Sequence, residues 1–340
     1  MKAGKLPADL LERLLARLPA DPRLLIGPGV GRDAAAIDLG GGRVLVAKAD
    51  PVTFATDQIG RYVVHVNAND VACLGARPAW FMATVLLPES ASPEQAEAIF
   101  EQIRTTCDEL GIVPIGGHTE ITLGLSRPMI AGAMLGETTA DALVRPENAR
   151  AGDHLVLTKA IAIEGTALLA RDAPDALRQR GMTSDEIESA ARLLIEPGIS
   201  IVREATAACA TGRVHALHDP TEGGLATAIG ELGRAAGLQA EVRPDDVPVL
   251  PETARVCSTA GLDPLGLLAS GALLIAMAGE ACDEVCEAVR RHEIAATCIG
   301  ELASGQGGAI IDSRRREPLP RFERDELARF LEVVEAERGS

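Results

Sequence analysis

Apolar and polar residues alternate along the chain in segments that predict both strands and helices. Short apolar runs bounded by polar residues, glycine or proline are typical of buried strands, and they occur at 43–50, 79–88, 112–121, 128–137, 271–280, 296–302 and 307–313. Longer amphipathic segments predict helices at 7–18, 60–75, 92–111, 280–291 and 321–337, and two helices split by Pro197-Gly198 within 183–211. The segments 154–170 and 214–237 each predict a strand, a turn and a helix. Because strands and helices mix in both halves, the fold class is α/β (α+β).

The helix at 92–111 has the clearest predicted boundaries. Ser92 is typical of a helix N-cap, Pro93 of the first helical position, and Gln95 follows the cap by three residues. Gly111 is the residue type that most often ends a helix. These local signals predict both ends of this helix without any knowledge of its neighbours.

A polar segment at 144–154, with proline and glycine, separates two apolar strands and predicts a linker. The 340 residues are enough for two domains of ordinary size. We therefore expect an N-terminal domain at 1–148 and a C-terminal domain at 149–340.

Composition narrows the class of protein. The chain is 47% hydrophobic and only 2% aromatic, which predicts an aliphatic core, and its net charge of −16 argues against binding to nucleic acid or to an anionic membrane. We expect no signal peptide, and no apolar run reaches the roughly 18 residues needed to span a bilayer. The seven cysteines are scattered and odd in number. This pattern predicts a reduced, cytoplasmic protein with buried thiols.

The helix predicted at 60–75 combines apolar residues with a group of polar ones. It is apolar enough to lie in the core, yet it carries Asn67, Asn69 and Asp70. A buried carboxylate is costly unless something compensates its charge. The cations closest in sequence are Arg61, two turns earlier, and Arg77, beyond the helix. We therefore expect a divalent metal ion to compensate Asp70.

Three carboxylates, on Asp33, Asp50 and Asp70, lie at or near the ends of apolar elements. Hard oxygen ligands of this kind suit Mg²⁺, although aspartates also serve as caps and turn residues in such places. The glycine-rich loop 27–33 precedes them and could direct backbone amides at a phosphate, or form a plain surface turn. No G-K-[ST] sequence occurs in the chain, so this loop is not a Walker P-loop.

Two further glycine pairs adjoin polar residues. In GGHTE (116–120), His118 and Glu120 could act as ligands or bases, or be structural. In HDPTEGGLA (218–226), a glycine pair opens a predicted helix, and a helix N-terminus of small residues is a potential anion site. Another group of residues lacks the close cysteine pair of a zinc site, and we expect no metal there: Cys282, Cys286, His292 and Cys298.

Taken in order, these segments resemble the AIR synthase (PurM-like) superfamily, and within it the HypE-like AIR synthase-related proteins. VNANDVACLGARP (66–78) resembles the N-x-x-D-x-x-x-x-G-A-x-P helix of the superfamily, and DPVTFATD (50–57) resembles the strand end before it. GGHTE stands where many members have G-G-D-T. HDPTEGGLATAIGEL (218–232) is similar to the H-D-P-T-x-G-G-L segment of the HypE-like group. The resemblance covers nearly the whole chain.

The resemblance implies that ATP binds with Mg²⁺ in the N-terminal domain. The metal ligands would be Asp33, Asp50 and Asp70, with Glu120 as a further candidate. A flexible loop that contains Gly27, Gly29 and Gly31 would cover the phosphates, and the remaining nucleotide contacts would come from Asn67, Gly116, Gly117 and His118. Lys48 is added as a phosphate contact from its charge alone.

Departures from the family pattern concern the metal and the acceptor. Arg32 stands beside Asp33 where many members have an acidic pair, and His118 replaces the aspartate of G-G-D-T. Both changes remove negative charge and leave the number of metal ions open. Glu222 stands where the HypE-like group has arginine, which suggests a different acceptor. The chain ends in VVEAERGS and lacks the C-terminal cysteine that HypE modifies.

The resemblance also implies a homodimer whose N-terminal sheets form a barrel across the interface, and a C-terminal α/β sandwich. The implied function is phosphorylation by Mg–ATP of an oxygen of a small acceptor, with release of ADP. Asp219 and His218 are the candidates for chemistry on the acceptor side. Two alternatives remain: a small-molecule kinase like thiamine-monophosphate kinase, and a nucleotide-binding regulator without catalysis.

Overall fold

The computed structural model describes residues 6–53 and 55–339, which form two compact units. The N-terminal unit contains residues 20–28 and 32–143. The C-terminal unit contains the described residues of 1–19, 29–31 and 144–340. Helix α1 (Ala8–Leu15) belongs to the C-terminal unit. Each unit combines one sheet with helices, which confirms the predicted α/β (α+β) class.

A six-stranded sheet forms the base of the N-terminal unit. Its strands follow the order β1-β2-β3-β6-β4-β5, and every neighbouring pair is antiparallel except β4 and β5. The elements are β1 (Leu24–Ile26), β2 (Ala35–Gly40), β3 (Arg43–Val52), α2 (Ile59–Cys73), β4 (Arg77–Leu87), α3 (Pro93–Leu110), β5 (Val113–Ile121) and β6 (Met129–Thr139).

Helix α2 packs on this sheet over two glycines of β6. A Cβ atom at Gly132 would lie 2.5 Å from Asn67 Nδ2, and one at Gly136 would lie 2.4 Å from Val71 Cγ1. Since Cβ atoms essentially never make contacts below 3.0 Å, any larger residue would push the helix away. Thirteen of the 15 residues of α2 are buried as a result, so its polar side chains must find partners inside the protein.

Helix α3 has the predicted boundaries. The hydroxyl of Ser92 accepts a hydrogen bond from the Gln95 backbone N–H at 3.2 Å, and Pro93 occupies the first helical position. Gly111 ends the helix in the left-handed conformation, with φ +66°. The helix therefore begins and ends where the sequence alone predicted.

The edge strand β5 is exposed along all nine of its residues. Its inner side pairs with β4 only. Val113, Ile115 and Ile121 remain 56%, 50% and 60% exposed, and Phe100 of α3 is 52% exposed nearby in the chain. An apolar edge strand of this length is unusual in an isolated subunit, because it offers unpaired backbone groups to another strand.

A second six-stranded sheet organises the C-terminal unit, in the order β12-β9-β11-β7-β10-β8. Only the β12–β9 pair is parallel. The elements are β7 (Asp153–Thr158), α4 (Ile163–Asp172), α5 (Pro174–Gln179), α6 (Ser184–Arg192), α7 (Val202–Ala210), β8 (Val214–His218), α8 (Gly224–Ala236), β9 (Gln239–Val242), α9 (Pro251–Ala260), β10 (Leu274–Ala278), α10 (Cys282–Arg290), β11 (Ala296–Ala303), β12 (Ile310–Asp312) and α11 (Glu326–Gly339).

Several boundaries in this unit differ from the predicted ones. The two helices predicted within 183–211 are α6 and α7, and they are separated at Pro197-Gly198 as expected. Helix α11 begins at Glu326, later than the predicted 321. The sequence patterns did not predict β9 or α9, nor the short strand β1 in the other unit. Each of these three elements is ten residues long or shorter, which limits its periodic signal.

Two further expectations concern buried thiols and membrane-spanning segments. All seven cysteines are free, and Cys73, Cys107, Cys257 and Cys286 are buried. Across residues 6–53 and 55–339, no helix combines the length and the apolar character that a bilayer span requires.

Candidate functional site

An ion-pair cluster joins β3 to α2 in the N-terminal unit. Lys48 Nζ lies 3.0 Å from Asp70 Oδ2 and 3.7 Å from Asp50 Oδ2. The side chains of Lys48, Asp70 and Asp50 are 19%, 5% and 39% exposed. Asp70 therefore lies in the interior, whereas Asp50 faces solvent at the rim of the cluster.

The expectation that Asp70 has no nearby cation was wrong, because Lys48 compensates its charge. Burial alone would lower the pKa of Lys48, but the charges of Asp70, Asp50 and Asp33 outweigh burial and raise it well above its usual range. Lys48 is therefore charged at neutral pH. Of the two cations closest in sequence, Arg61 pairs with Glu109 at 2.9 Å instead.

Asn67 fixes the backbone of Asp50. Its Oδ1 accepts a hydrogen bond from the Asp50 N–H at 2.9 Å, and its Nδ2 donates to the Asp50 carbonyl at 3.1 Å and to the Val63 carbonyl at 2.8 Å. The side chain is fully buried. Both amide hydrogens are thus already donated within the chain, and Asn67 holds the Asp50 backbone in place. The nucleotide contact that the resemblance implied for Asn67 stays a prediction.

The chemistry of the donor set fits a magnesium ion. Asp33, Asp50 and Asp70 offer hard carboxylate oxygens, and the charges of all three act on Lys48. Three carboxylates and one ammonium group leave a formal charge of −2, which one divalent ion would neutralise. The side chains of Asp33 and Asp50 are partly exposed and can reach such an ion.

The glycine-rich loop contributes residues to both units. In the N-terminal unit, Arg32 Nη1 donates a hydrogen bond to the Gly27 carbonyl at 3.1 Å. In the C-terminal unit, Gly29 is half-buried, and Gly31 adopts φ +74°, where a Cβ would lie 3.5 Å from Glu231 Cβ. The left-handed backbone at Gly31 therefore requires glycine.

The GGHTE motif lies on β5, and the sheet register separates it from Asp50. Asp50 pairs with Gly132, Gly132 with Ala83, and Ala83 with Gly117. Three strand spacings of about 4.8 Å place Gly117 roughly 14 Å from Asp50. One chain therefore does not bring these two parts of the predicted site together within its sheet.

Within the motif, the exposed side chains of His118 and Glu120 pair with each other. His118 Nε2 lies 3.0 Å from Glu120 Oε2, and Thr122 Oγ1 donates to Glu120 Oε1 at 3.0 Å. The hydrogen bond with His118 lowers the pKa of Glu120. The Cβ that any other residue would add at Gly117 would lie 2.0 Å from the Ala83 carbonyl oxygen, so glycine is required for β5 to pair here.

His218 is the last residue of strand β8 in the C-terminal unit and Asp219 follows it, and both are buried. His218 Nε2 lies 3.1 Å from Glu231 Oε2 of α8. A carboxylate that orients an imidazole is typical of a general base. Glu231 was not among the predicted site residues, because its partner lies one strand-to-helix connection away.

The anion site predicted at the start of α8 holds an internal carboxylate. Asp325 Oδ2 accepts a hydrogen bond from the Gly223 N–H at 2.6 Å. Its Oδ1 accepts from the Leu327 N–H at 2.7 Å and the Leu268 N–H at 3.3 Å. Burial raises the pKa of Asp325 to about 6, although these backbone hydrogen bonds lower it. The helix start thus binds a carboxylate, as its amides predict, but one from the same chain.

Glu164 is a buried acid that the sequence did not single out. It lies in the first turn of α4, is 6% exposed, and its Oε2 has no hydrogen-bond partner among the described residues. Burial raises the pKa of Glu164 to about 7; hydrogen bonds with Ser270 lower it, and the charges of Asp325 and Asp219 raise it further. This carboxyl group therefore changes charge near neutral pH.

Family models match the sequences of both units. The N-terminal domain of AIR synthase related protein matches residues 31–138, and the C-terminal domain of AIR synthase related protein matches residues 150–313. The chain belongs to the AIR synthase related family. The resemblance seen in the sequence is thereby confirmed.

Individual proteins and solved structures also resemble this chain. Carbamoyl dehydratase HypE of Cupriavidus necator is 30% identical over 321 residues, which cover 86% of this chain and 86% of that protein. A crystal structure of HypE in complex with ATP has a TM-score of 0.66 at 24% identity and covers 93% of this chain and 96% of its own. A ThiL protein complexed with AMPPCP and TMP has a TM-score of 0.72 at 18% identity, with coverage of 92% and 94%. These two structures show that the fold is shared.

Replacement of Lys48 by methionine should destabilise the protein. Lys48→Met leaves Asp70 buried without its cation, so we expect the free energy of unfolding to fall by about 3–5 kcal/mol. Urea unfolding at pH 7 measures this change. Arg104→Met is the matched control, since it removes a 58% exposed cation from Glu101 and Asp108 and should cost less than about 1 kcal/mol. Equal losses in both variants would contradict the buried pair.

Replacement of Glu164 by glutamine should change how stability depends on pH. A carboxyl whose folded-state pKa is raised stabilises the fold fully below its unfolded pKa of about 4.3, and this contribution is lost as the pH rises through about 7. Relative to the parent, Glu164→Gln should therefore gain on the order of 1–3 kcal/mol between pH 5 and pH 8. Urea unfolding at both pH values measures the gain. The exposed acid of α6 gives the control, Glu188→Gln, which should show no such gain.

Proposed function

We propose that this protein is an Mg–ATP-dependent enzyme that phosphorylates an oxygen of a small acceptor and releases ADP. The observation that carries the proposal is the convergence of Asp33, Asp50 and Asp70 on Lys48, in a chain of the AIR synthase related family. Its relatives include carbamoyl dehydratases, and one HypE structure contains ATP. A carboxylate cluster of this kind suits a nucleotide's metal ion.

The chain's own residues would divide the work as follows. Asp33, Asp50 and Asp70 would hold a magnesium ion, which when bound neutralises charge on the phosphates and keeps the transferred group in line. Asn67 holds the Asp50 backbone in place. Lys48 supplies a fixed positive charge beside the carboxylates, so a phosphate can approach them with less repulsion.

On the acceptor side, His218 is the proposed base and Glu231 orients its ring. The ring would take the proton that the acceptor oxygen loses when it is phosphorylated.

A small-molecule kinase is the second candidate function. A ThiL structure that contains AMPPCP and TMP shares the fold of this chain, with a TM-score of 0.72. A kinase releases the phosphorylated acceptor as a stable product. An activating enzyme instead phosphorylates an oxygen that later departs from the acceptor together with the phosphate. A screen of small metabolites for ADP release, followed by identification of the phosphorylated product, separates the two. ATP binding without ADP release from any acceptor would favour the regulator.

Replacement of Asp50 tests the nucleotide site with little risk to the fold. Its backbone makes the contacts with Asn67, and its side chain is 39% exposed. We expect Asp50→Asn to weaken Mg–ATP binding at least about 10-fold, or about 1.4 kcal/mol, because one metal ligand loses its charge. Titration calorimetry with and without Mg²⁺ measures this. Asp38→Asn on β2 is the control, since Asp38 only accepts a hydrogen bond from the Gly40 N–H. Unchanged binding by Asp50→Asn would remove the site assignment.

We also propose a homodimer in which the β5 edge pairs with a second copy, as the family resemblance implies. Val113, Ile115 and Ile121 lie along β5 and are at least half exposed. Pairing with a copy would satisfy the backbone groups of this edge and bury these side chains. Closure of the two sheets into a barrel is part of the same proposal.

A lysine at Ile115 should prevent this association. Ile115→Lys places a charge in the proposed interface, so we expect a monomer where the parent is a dimer at micromolar concentration. Light scattering measures the mass. Leu39→Lys is the control, because Leu39 is 45% exposed on β2, at the opposite end of the same sheet order. A monomeric parent, or a dimer that persists in Ile115→Lys, would refute the interface.

A further inference from the structure

Three soft donor groups meet in the C-terminal unit, and the proposed phosphoryl transfer uses none of them. His154 lies on β7, Cys298 lies on β11, and Cys282 is the first residue of α10. One ring nitrogen of His154 and the two Sγ atoms all lie within 4.8 Å of one another. The sequence alone grouped these cysteines with His292 and predicted no metal there, but His292 is exposed and lies outside this group, in which the histidine is His154.

The fold explains why residues so distant in sequence meet. Strands β7 and β11 are antiparallel neighbours, and the register shifts between Cys298 and Gly300, so the strand carries a bulge beside the cysteine. A bulge redirects the side chain next to it. Helix α10 follows β10, which is the other neighbour of β7. The first turn of the helix therefore lies close to His154.

A third thiol extends the donor set. Cys286 lies one helical turn after Cys282, is 4% exposed, and its thiol is within hydrogen-bonding reach of Cys282. Residues four apart share one face of a helix. The donors are therefore two cysteines and one histidine, with Cys286 available as a fourth. Both Cys₂His and Cys₃His sets are typical of zinc.

The surroundings support thiolate ligands and leave the His154 ring uncrowded. A Cβ at Gly279 would lie 3.0 Å from His154 Nε2, so a larger residue there would press on this nitrogen. Arg243 Nη2 donates to Cys298 Sγ at 3.5 Å and to the Cys298 carbonyl at 2.7 Å. A donor of this kind stabilises and orients a metal-bound thiolate. Zn–S and Zn–N bonds of about 2.3 and 2.0 Å require donors roughly 3.5–3.8 Å apart, which small side-chain rotations can reach.

The donor types indicate which metal the group would bind. Soft sulfur and imidazole donors disfavour Mg²⁺, which prefers oxygen. The donor chemistry thus separates this group from the carboxylate cluster of the N-terminal unit.

We propose that His154, Cys282 and Cys298, with Cys286 as the fourth donor, bind one zinc ion that ties the start of α10 to strands β7 and β11. The site is structural, since it connects three elements of one unit. Binding needs neither ATP nor an acceptor, so the proposal stands or falls independently of the proposed function.

Cobalt(II) is the probe, because tetrahedral cobalt–thiolate sites have characteristic visible absorption. The full chain, reduced and treated with a chelator, is titrated with Co²⁺ and then with Zn²⁺. We expect one Co²⁺ per chain with thiolate-to-cobalt and tetrahedral bands, and displacement by one equivalent of Zn²⁺. Zinc should also raise the thermal unfolding temperature of the parent, because it binds only the folded site. Absence of these bands in the folded parent would overturn the proposal without any variant.

Substitutions then locate the site. Cys282→Ser and His154→Ala should each weaken Co²⁺ binding by more than about 100-fold. Cys209→Ser is the control, because Cys209 lies on α7 outside the donor group and should leave the spectrum and affinity unchanged. Equal binding by Cys282→Ser and the parent would overturn the assignment. So would a Cys282–Cys298 disulfide, found by mass spectrometry, in protein that binds no metal after reduction.

Discussion

The close approach of α2 to β6 is the constraint on which the N-terminal unit depends. Gly132 and Gly136 let the helix lie so near the sheet that its polar residues are enclosed. Asn67 then uses its amide to hold the Asp50 backbone, and Asp70 must be paired inside the protein. The same contact that buries the apolar face of α2 therefore also positions the carboxylates. The packing of α2 and the geometry of the proposed site therefore depend on the same contact.

The sequence predicted elements well where the signal is local, and partners poorly where it is not. The boundaries of α3 follow from Ser92, Pro93 and Gly111, which act within a few residues of their own positions. Asp70 was correctly singled out as a buried carboxylate in need of a cation. The sequence did not indicate that Lys48 pairs with Asp70, because the two residues meet only through the packing of β3 against α2. Arg61 lies near Asp70 in the sequence, but it pairs with Glu109 of α3 instead.

The start of α8 shows the same limit and adds a consequence for the acceptor. Gly223 exposes backbone amides that predict an anion site, and the structure places the Asp325 carboxylate there. No local pattern could reveal a partner a hundred residues further along the chain. An acceptor phosphate at this helix start would have to displace Asp325, whose carboxylate already accepts three backbone hydrogen bonds. Phosphate binding elsewhere is therefore favoured, since these hydrogen bonds would be lost at once.

The position of β5 bears on both the site and the proposed dimer. The family resemblance assigns the GGHTE motif and Asp50 to one nucleotide site, but the sheet register places Gly117 and Asp50 three strands apart. The motif also lies on an edge strand whose apolar side chains are exposed. A second copy that pairs along this edge would bring its own β5 motif into the assembly. The GGHTE motif and Asp50 can then belong to one nucleotide site if that site is completed across the interface. In that case, the monomeric Ile115→Lys variant would lose nucleotide affinity because it lacks the second copy.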